Sequence, residues 1–137
     1  MSLSEQSRYD IVVYRLEKAQ RTMAQAKDNV PMHYWNLIAN RLYYAAYYAV
    51  SALLLAHGHS TKTHDGTIRL FSQHFVKTGI IPLENGRFYH QLFERRLTGD
   101  YGDSFDLTEE DVMPLFTPTE QLITQVSELA RQAITNK

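Results

Sequence analysis

The sequence predicts an all-α fold, an up-and-down bundle of four to five helices. Three observations lead there. Apolar residues recur at three- and four-residue spacing in several separate segments, the mark of helices that bury one face. Nowhere do apolar and polar residues alternate over the length of a strand. One segment, Leu42 to Ala56 (LYYAAYYAVSALLLA), is apolar nearly all round, as a helix surrounded by others must be. A chain of 137 residues with 44% apolar and 21% charged content has the material for one core, so a single domain over 1–137 is expected.

The first helix is expected from Ser4 to about Asn29, with Ile11, Val12, Leu16, Ala19, Met23 and Ala26 as its stripe. Arg8, Arg15, Lys18 and Arg21 take more polar positions. Pro31 suits the first turn of a second helix, where a missing N–H costs nothing, and Gly58 closes that helix after His57. Inside it Tyr43 and Tyr47, and Tyr44 and Tyr48, form two ridges four residues apart, read as core rings with hydroxyls at the edge. After the polar connection HSTKT, a third helix over about Asp65 to Lys77 turns Ile68, Leu70, Phe71 and Phe75 inward until Gly79 and Pro82 end it. A fourth, RFYHQLFERRL, buries Phe88, Leu92 and Phe93, with Tyr89 beside them. Gly99 and Gly102 are expected to loosen the backbone that follows, and DSF reads as loop. Thr108 with Asp111 resembles a capping pair that opens the last helix, which runs to about Thr135. Pro114 and Pro118 should kink or split it.

Composition narrows the function. A net charge of −1 and a pI near 6.6 argue against a protein that grips duplex DNA, because neutralising phosphates takes clustered Lys and Arg. A local site for a nucleotide or a single strand needs far less charge. With no cysteine, disulfides and thiolate metal sites are excluded. The opening residues MSLSEQSRYD do not make a secretory leader, and the 15 residues of Leu42 to Ala56 are short for a bilayer and carry four tyrosines. A cytoplasmic protein without membrane contact is expected. His57 and His59 flank a helix end, where imidazoles suit the dipole, and no carboxylate spacing marks a metal site. No phosphate-binding loop, dinucleotide fingerprint or nucleophile elbow occurs, so neither metal nor cofactor is expected.

Two places carry chemistry. Arg41 lies one turn before Tyr44 and two before Tyr48, on the apolar side of the second helix, where a guanidinium must reach solvent or find a partner. A carboxylate from another helix is the favoured partner. RRLTGDYGD, Arg95 to Asp103, supplies one: Arg96 and Asp100 stand four apart on one face, as a plain surface ion pair or as part of a site. A cleft holding Arg41, Arg96 and Asp100 has one excess positive charge and suits a phosphate. In THDG, His64 and Asp65 open the third helix, with Thr63 or Asp65 as cap, so His64 is either a proton donor or a loop residue.

The ordered set NRLYYAAYYAV, TKTHDGTIRLFSQHFVKTG and ERRLTGDYGD resembles the HEPN domain family, in its small prokaryotic branch, over roughly residues 8 to 130. The resemblance implies a compact helical bundle, usually a homodimer, in which Asn40, Arg41 and the Arg96-x-x-x-Asp100-Tyr101 cluster face a shared cleft. It also implies a toxin of a toxin–antitoxin or defence module, commonly paired with a minimal nucleotidyltransferase antitoxin. Many such proteins are metal-independent ribonucleases that use an Arg followed four to six residues later by a His. Counting from Arg95 or Arg96, that place here holds Asp100 or Tyr101. A phenol with a pKa of about 10 is a poor base at neutral pH, whereas phosphate binding needs only the arginines.

Three readings follow. In a ribonuclease, Arg41 and Arg96 stabilise charge on the scissile phosphate, Asp100 orients an arginine, Tyr101 serves the leaving oxygen, and His64 is the candidate imidazole base. In a non-catalytic module, Asn40, Arg41, Arg95 and Arg96 hold a nucleotide or dock a nucleotidyltransferase, and Tyr101 accepts a nucleotidyl group. In a structural bundle, the polar cluster only fixes helix packing.

Overall fold

The computed structural model describes residues 4–135, so the ends of the domain expected over 1–137 lie outside the described residues. Among the described residues there is no strand, and five helices of eight residues or more carry the fold. Helix α1 spans Glu5–Asp28, opened by the Ser4 hydroxyl, which accepts the Ser7 N–H at 3.0 Å. Pro31 does not begin the second helix as the sequence predicts. It sits in a 3₁₀ turn of its own, Val30–Met32, after which His33 adopts the left-handed region (φ 58°) to reverse the chain. A proline fits the first turn of either kind of helix, so it marks a helix start without saying which.

Helix α2, Trp35–Ala56, is central: Leu42, Tyr43, Ala45, Ala46, Ala49, Val50 and Leu53 have no exposed surface. It packs against α1 on one side and against α4 and α6 on others. Helix α3, His64–Phe71, is capped by the Thr63 hydroxyl, which accepts the Gly66 N–H at 2.9 Å. It runs on as a π-helical turn, Ser72–Val76, closed by a 2.8 Å bond from the Lys77 N–H to the Ser72 carbonyl. That wider turn brings Phe75 and Val76 to the core.

Helix α4, Leu83–Tyr101, starts directly after Pro82 and passes through Gly99, which therefore does not loosen the chain. A Cβ at Gly99 would stand 3.3 Å from the Asn36 Cα and carbonyl oxygen and 3.1 Å from Leu107 Cδ1. The missing side chain is what allows α4 to approach the first turn of α2 this closely. Thr108 and Asp111 form a full capping box at the four-residue helix α5, Glu109–Val112. Pro114 falls in the 3₁₀ turn Met113–Leu115, and Pro118 in the first turn of α6, Phe116–Thr135, so the expected last helix is split.

Candidate functional site

Three elements meet along the middle of α2. That helix contributes Asn40, Arg41, Tyr43, Tyr44 and Tyr47; α4 contributes Phe93, Arg96, Asp100 and Tyr101; the first residue of α3 is His64. The arrangement centres on Arg96, whose residue is 5% exposed. Its guanidinium lies 5.2 Å from the Tyr43 ring, 5.5 Å from both Tyr44 and Phe93, and 5.9 Å from Tyr101. Aromatic faces offset part of the cost of removing a cation from water. The ion pair to Asp100, at 3.6 Å, adds to this, while the buried Nε has no hydrogen-bond partner among the described residues.

The Asp100 carboxylate also accepts a 3.0 Å bond from the Asn40 amide. The Asn40 carbonyl oxygen in turn accepts two bonds from Arg41, at 3.0 Å from Nε and 2.7 Å from Nη2. Arg41 reaches Gln25 with its remaining arm, at 3.1 Å, and lies 5.5 Å from the Tyr44 ring. Arg41 is thus not paired directly with a carboxylate, as the sequence led us to expect. It is half-buried, so amide acceptors suffice, and Asn40 relays it to Asp100. The chain Arg41–Asn40–Asp100–Arg96 holds two guanidiniums against one carboxylate.

His64 joins this cluster. Its Nδ1 is 2.7 Å from the Tyr43 hydroxyl and its Nε2 a longer 3.4 Å from that of Tyr44, the donor in each following the tautomer. Its ring lies 4.8 Å from Tyr47, and it shares Tyr43, Tyr44 and Phe93 as ring neighbours with Arg96. Burial chiefly, and then the charge of Arg96, hold the His64 pKa below its ordinary value of 6.5, with Asp65 opposing. Both effects favour the neutral imidazole. Burial raises the Tyr43 hydroxyl far above its ordinary range, so it stays protonated.

Of the other expected residues, Tyr101 stands at the rim, 70% exposed beside Arg96. Arg95 is not in the cluster: one residue along a helix is a turn of about 100°, and its charge acts instead on Asp111. That carboxyl is held below its ordinary range mainly by the Thr108 backbone N–H. Sequence reasoning treated Tyr43 and Tyr44 as packing and did not find Gln25 or Phe93. The signal available was Arg41 and Tyr44 at i, i+3 on a helix otherwise apolar.

Among the described residues no three His, Asp or Glu side chains converge as a metal site would require. No helix of the described residues is long and apolar enough to cross a membrane. A neutral imidazole beside a buried guanidinium, with a second guanidinium and a phenol at the rim, can bind a phosphate and accept a proton next to it.

The HEPN domain family model matches residues 12–129. A UPF0332 protein of Thermotoga maritima is 38% identical over 119 residues, 87% of this chain and 90% of that one. A UPF0332 protein of Gloeobacter violaceus is 34% identical over 64% of this chain and 69% of its own length. A protein of Methanocaldococcus jannaschii named "Putative toxin MJ0605" is 25% identical over 87% of this chain and 88% of its own length.

Proposed function

The chain belongs to the HEPN family, and from that premise we propose that it is a toxin-like protein that cleaves single-stranded RNA without a metal ion. The observation that carries the reading is the packing of His64 against the rings that hold Arg96. It offers an imidazole from α3 where the family's Arg-to-His spacing places Asp100 or Tyr101 instead. A relative named as a toxin supports the toxin-like part.

In this mechanism the Nε2 of His64 takes the proton of a ribose 2′-hydroxyl as that oxygen attacks the adjacent phosphorus. Arg96 and Arg41 stabilise the charge that develops on the phosphoryl oxygens. Asp100, tied to Arg96 and to Asn40, keeps the guanidiniums oriented. Tyr101 gives its proton to the departing 5′-oxygen, leaving a cyclic 2′,3′-phosphate and a 5′-hydroxyl. Acting as a homodimer in the cytoplasm, the protein would be silenced by a nucleotidyltransferase antitoxin. The exposed Leu37 of α2 and Leu97 of α4 are apolar surface that a second copy would cover.

The test is RNA degradation in EDTA by the wild type and Arg96→Ala, with helicity followed by circular dichroism. Loss of at least about a hundredfold in rate is expected for the variant, the scale of one lost electrostatic contact to the transition state. Equal cleavage by both removes the mechanism.

A second reading rests on the exposure of Tyr101 beside a buried cation: the protein binds a nucleotide or a nucleotidyltransferase, and the Tyr101 hydroxyl accepts the nucleotidyl group. Mass spectrometry after co-expression with such an enzyme decides it, since the adduct should vanish in Tyr101→Phe. A purely structural cluster predicts instead that Arg41 and Asp100 can be replaced together by apolar residues without loss of any activity.

A further inference from the structure

A second feature lies along the same helix, outside the Arg96–His64 cluster. Between α1 and α2 opens a cleft of about 400 Å³, in the range of pockets that take small polar ligands. Its wall includes Arg15, Lys18, Tyr14, Tyr48 and Ser51, and no carboxylate lines it among the described residues. Arg15 and Lys18 are both half-buried, and neither makes an ion pair among the described residues. By contrast Arg21, one turn on from Glu17, pairs with it at 4.0 Å. The Lys18 ammonium lies 4.7 Å from the Tyr48 ring and 5.8 Å from Tyr14, and an Arg15 Nη donates to the Ser51 carbonyl at 3.3 Å.

Register joins this cleft to the site. Arg41, Tyr44, Tyr48 and Ser51 occupy one face of α2 at i, i+3, i+7 and i+10. Cations follow that face in order: Arg41 and Arg96 beside the Tyr44 ring, Lys18 beside the Tyr48 ring, then Arg15 at the Ser51 carbonyl. The ladder is about 15 Å long at 1.5 Å per residue. Tyr47 is common to both regions, lining the cleft and lying 4.8 Å from the His64 ring. Cations set against aromatic rings along one track supply what a single strand asks of a protein: charge for its backbone, and rings whose opposite faces can stack a base. A duplex is not served by so narrow a track, and the overall charge of −1 supplies no broad basic face.

We infer that the α1–α2 cleft is a second nucleotide subsite, in which Arg15 and Lys18 hold phosphates and Tyr48 and Tyr14 take a base of the single-stranded RNA whose scissile phosphate sits at Arg96. The inference rests on the ribonuclease reading for the identity of the strand. It adds to that reading a length requirement: substrates long enough to fill the cleft bind better than dinucleotides.

The test measures binding of a short 2′-O-methyl oligoribonucleotide, which lacks the attacking hydroxyl and so is not cut, by fluorescence anisotropy over a range of salt. Wild type is compared with Arg15→Gln/Lys18→Gln, with polyglutamate as a second probe and helicity as the check on folding. Affinity of the double variant should fall at least about tenfold, and the slope of log affinity against log salt by about 1.4, two single-strand phosphate contacts. Lys18→Gln alone should remove about half of that slope, which keeps the test usable if the double variant does not fold. Wild-type binding with no change in the double variant overturns the subsite and leaves the Arg96–His64 mechanism standing. Polyglutamate bound as tightly as RNA, and lost with it, assigns the cleft to an acidic peptide and also overturns the inference. No binding of the oligoribonucleotide by the wild type overturns the subsite together with the RNA reading.

Discussion

Arg96 and His64 together illustrate how a residue acquires chemistry from its neighbours. A histidine at the start of a helix ordinarily titrates near 6.5, but His64 is lowered by burial and by the Arg96 charge. As the base, it must be neutral to act. In the proposed ribonuclease kcat/KM should therefore fall on the acid side with a midpoint below 6.5, and be flat through neutrality. The measurement is the pH profile of cleavage; an acid limb centred at 7 or higher would assign the base to another group. At this scale the sequence was partly legible. Arg41 announces itself as a charge on an apolar face, and the four-residue spacing of Arg96 and Asp100 needs no tertiary information. The amide of Asn40 between them was grouped with Arg41 only by resemblance. Its bridging role depends on the crossing of α2 and α4, which no local pattern encodes.

Among the elements, α4 departs most from its sequence reading. Gly99 was read as loosening the backbone because glycine weakens helices in isolation. In the fold it is a contact: the Asn36 backbone and Leu107 occupy the space a methyl would need. Gly99→Ala should raise intrinsic helix propensity and still destabilise the protein by about 1–3 kcal/mol, because backbone is harder to displace than a side chain. Urea denaturation of the purified variant measures this; a gain in stability would show that the α2–α4 approach is slack. The same contact region is held by Asn36, whose side chain accepts the Leu107 N–H at 2.9 Å and donates to Asp106 at 2.9 Å. The start of α5, by contrast, was legible, because a capping box is written in residues three apart. Thr108→Ala should cost about 0.5–2 kcal/mol in the same assay.

For the molecule as a whole, acid sensitivity follows from its histidines. His57, His59 and His64 all have pKa values lowered from 6.5, in each case first by burial, with neighbouring imidazole or guanidinium charge adding to it. A depressed folded pKa means that the unfolded chain takes up protons first as pH drops. The stability these groups contribute is complete above 6.5 and is lost as pH falls through the lower folded values. Thermal unfolding at about pH 7.5 and about pH 5.5 should accordingly show a lower Tm in acid, and replacing His59 and His64 by glutamine should shrink the difference. A Tm unchanged across that window would mean that other titrations cancel theirs. The sequence by itself determined the all-α class, the centrality of α2 and the capping pair that opens α5, since each is written in periodicity or in residues a few positions apart. Only the tertiary structure decided that His64 stands against the rings around Arg96, that Arg95 faces away from them, and that Gly99 is a point of contact. Those facts depend on how separate helices cross, and the energies that set the crossing are spread over side chains far apart in sequence.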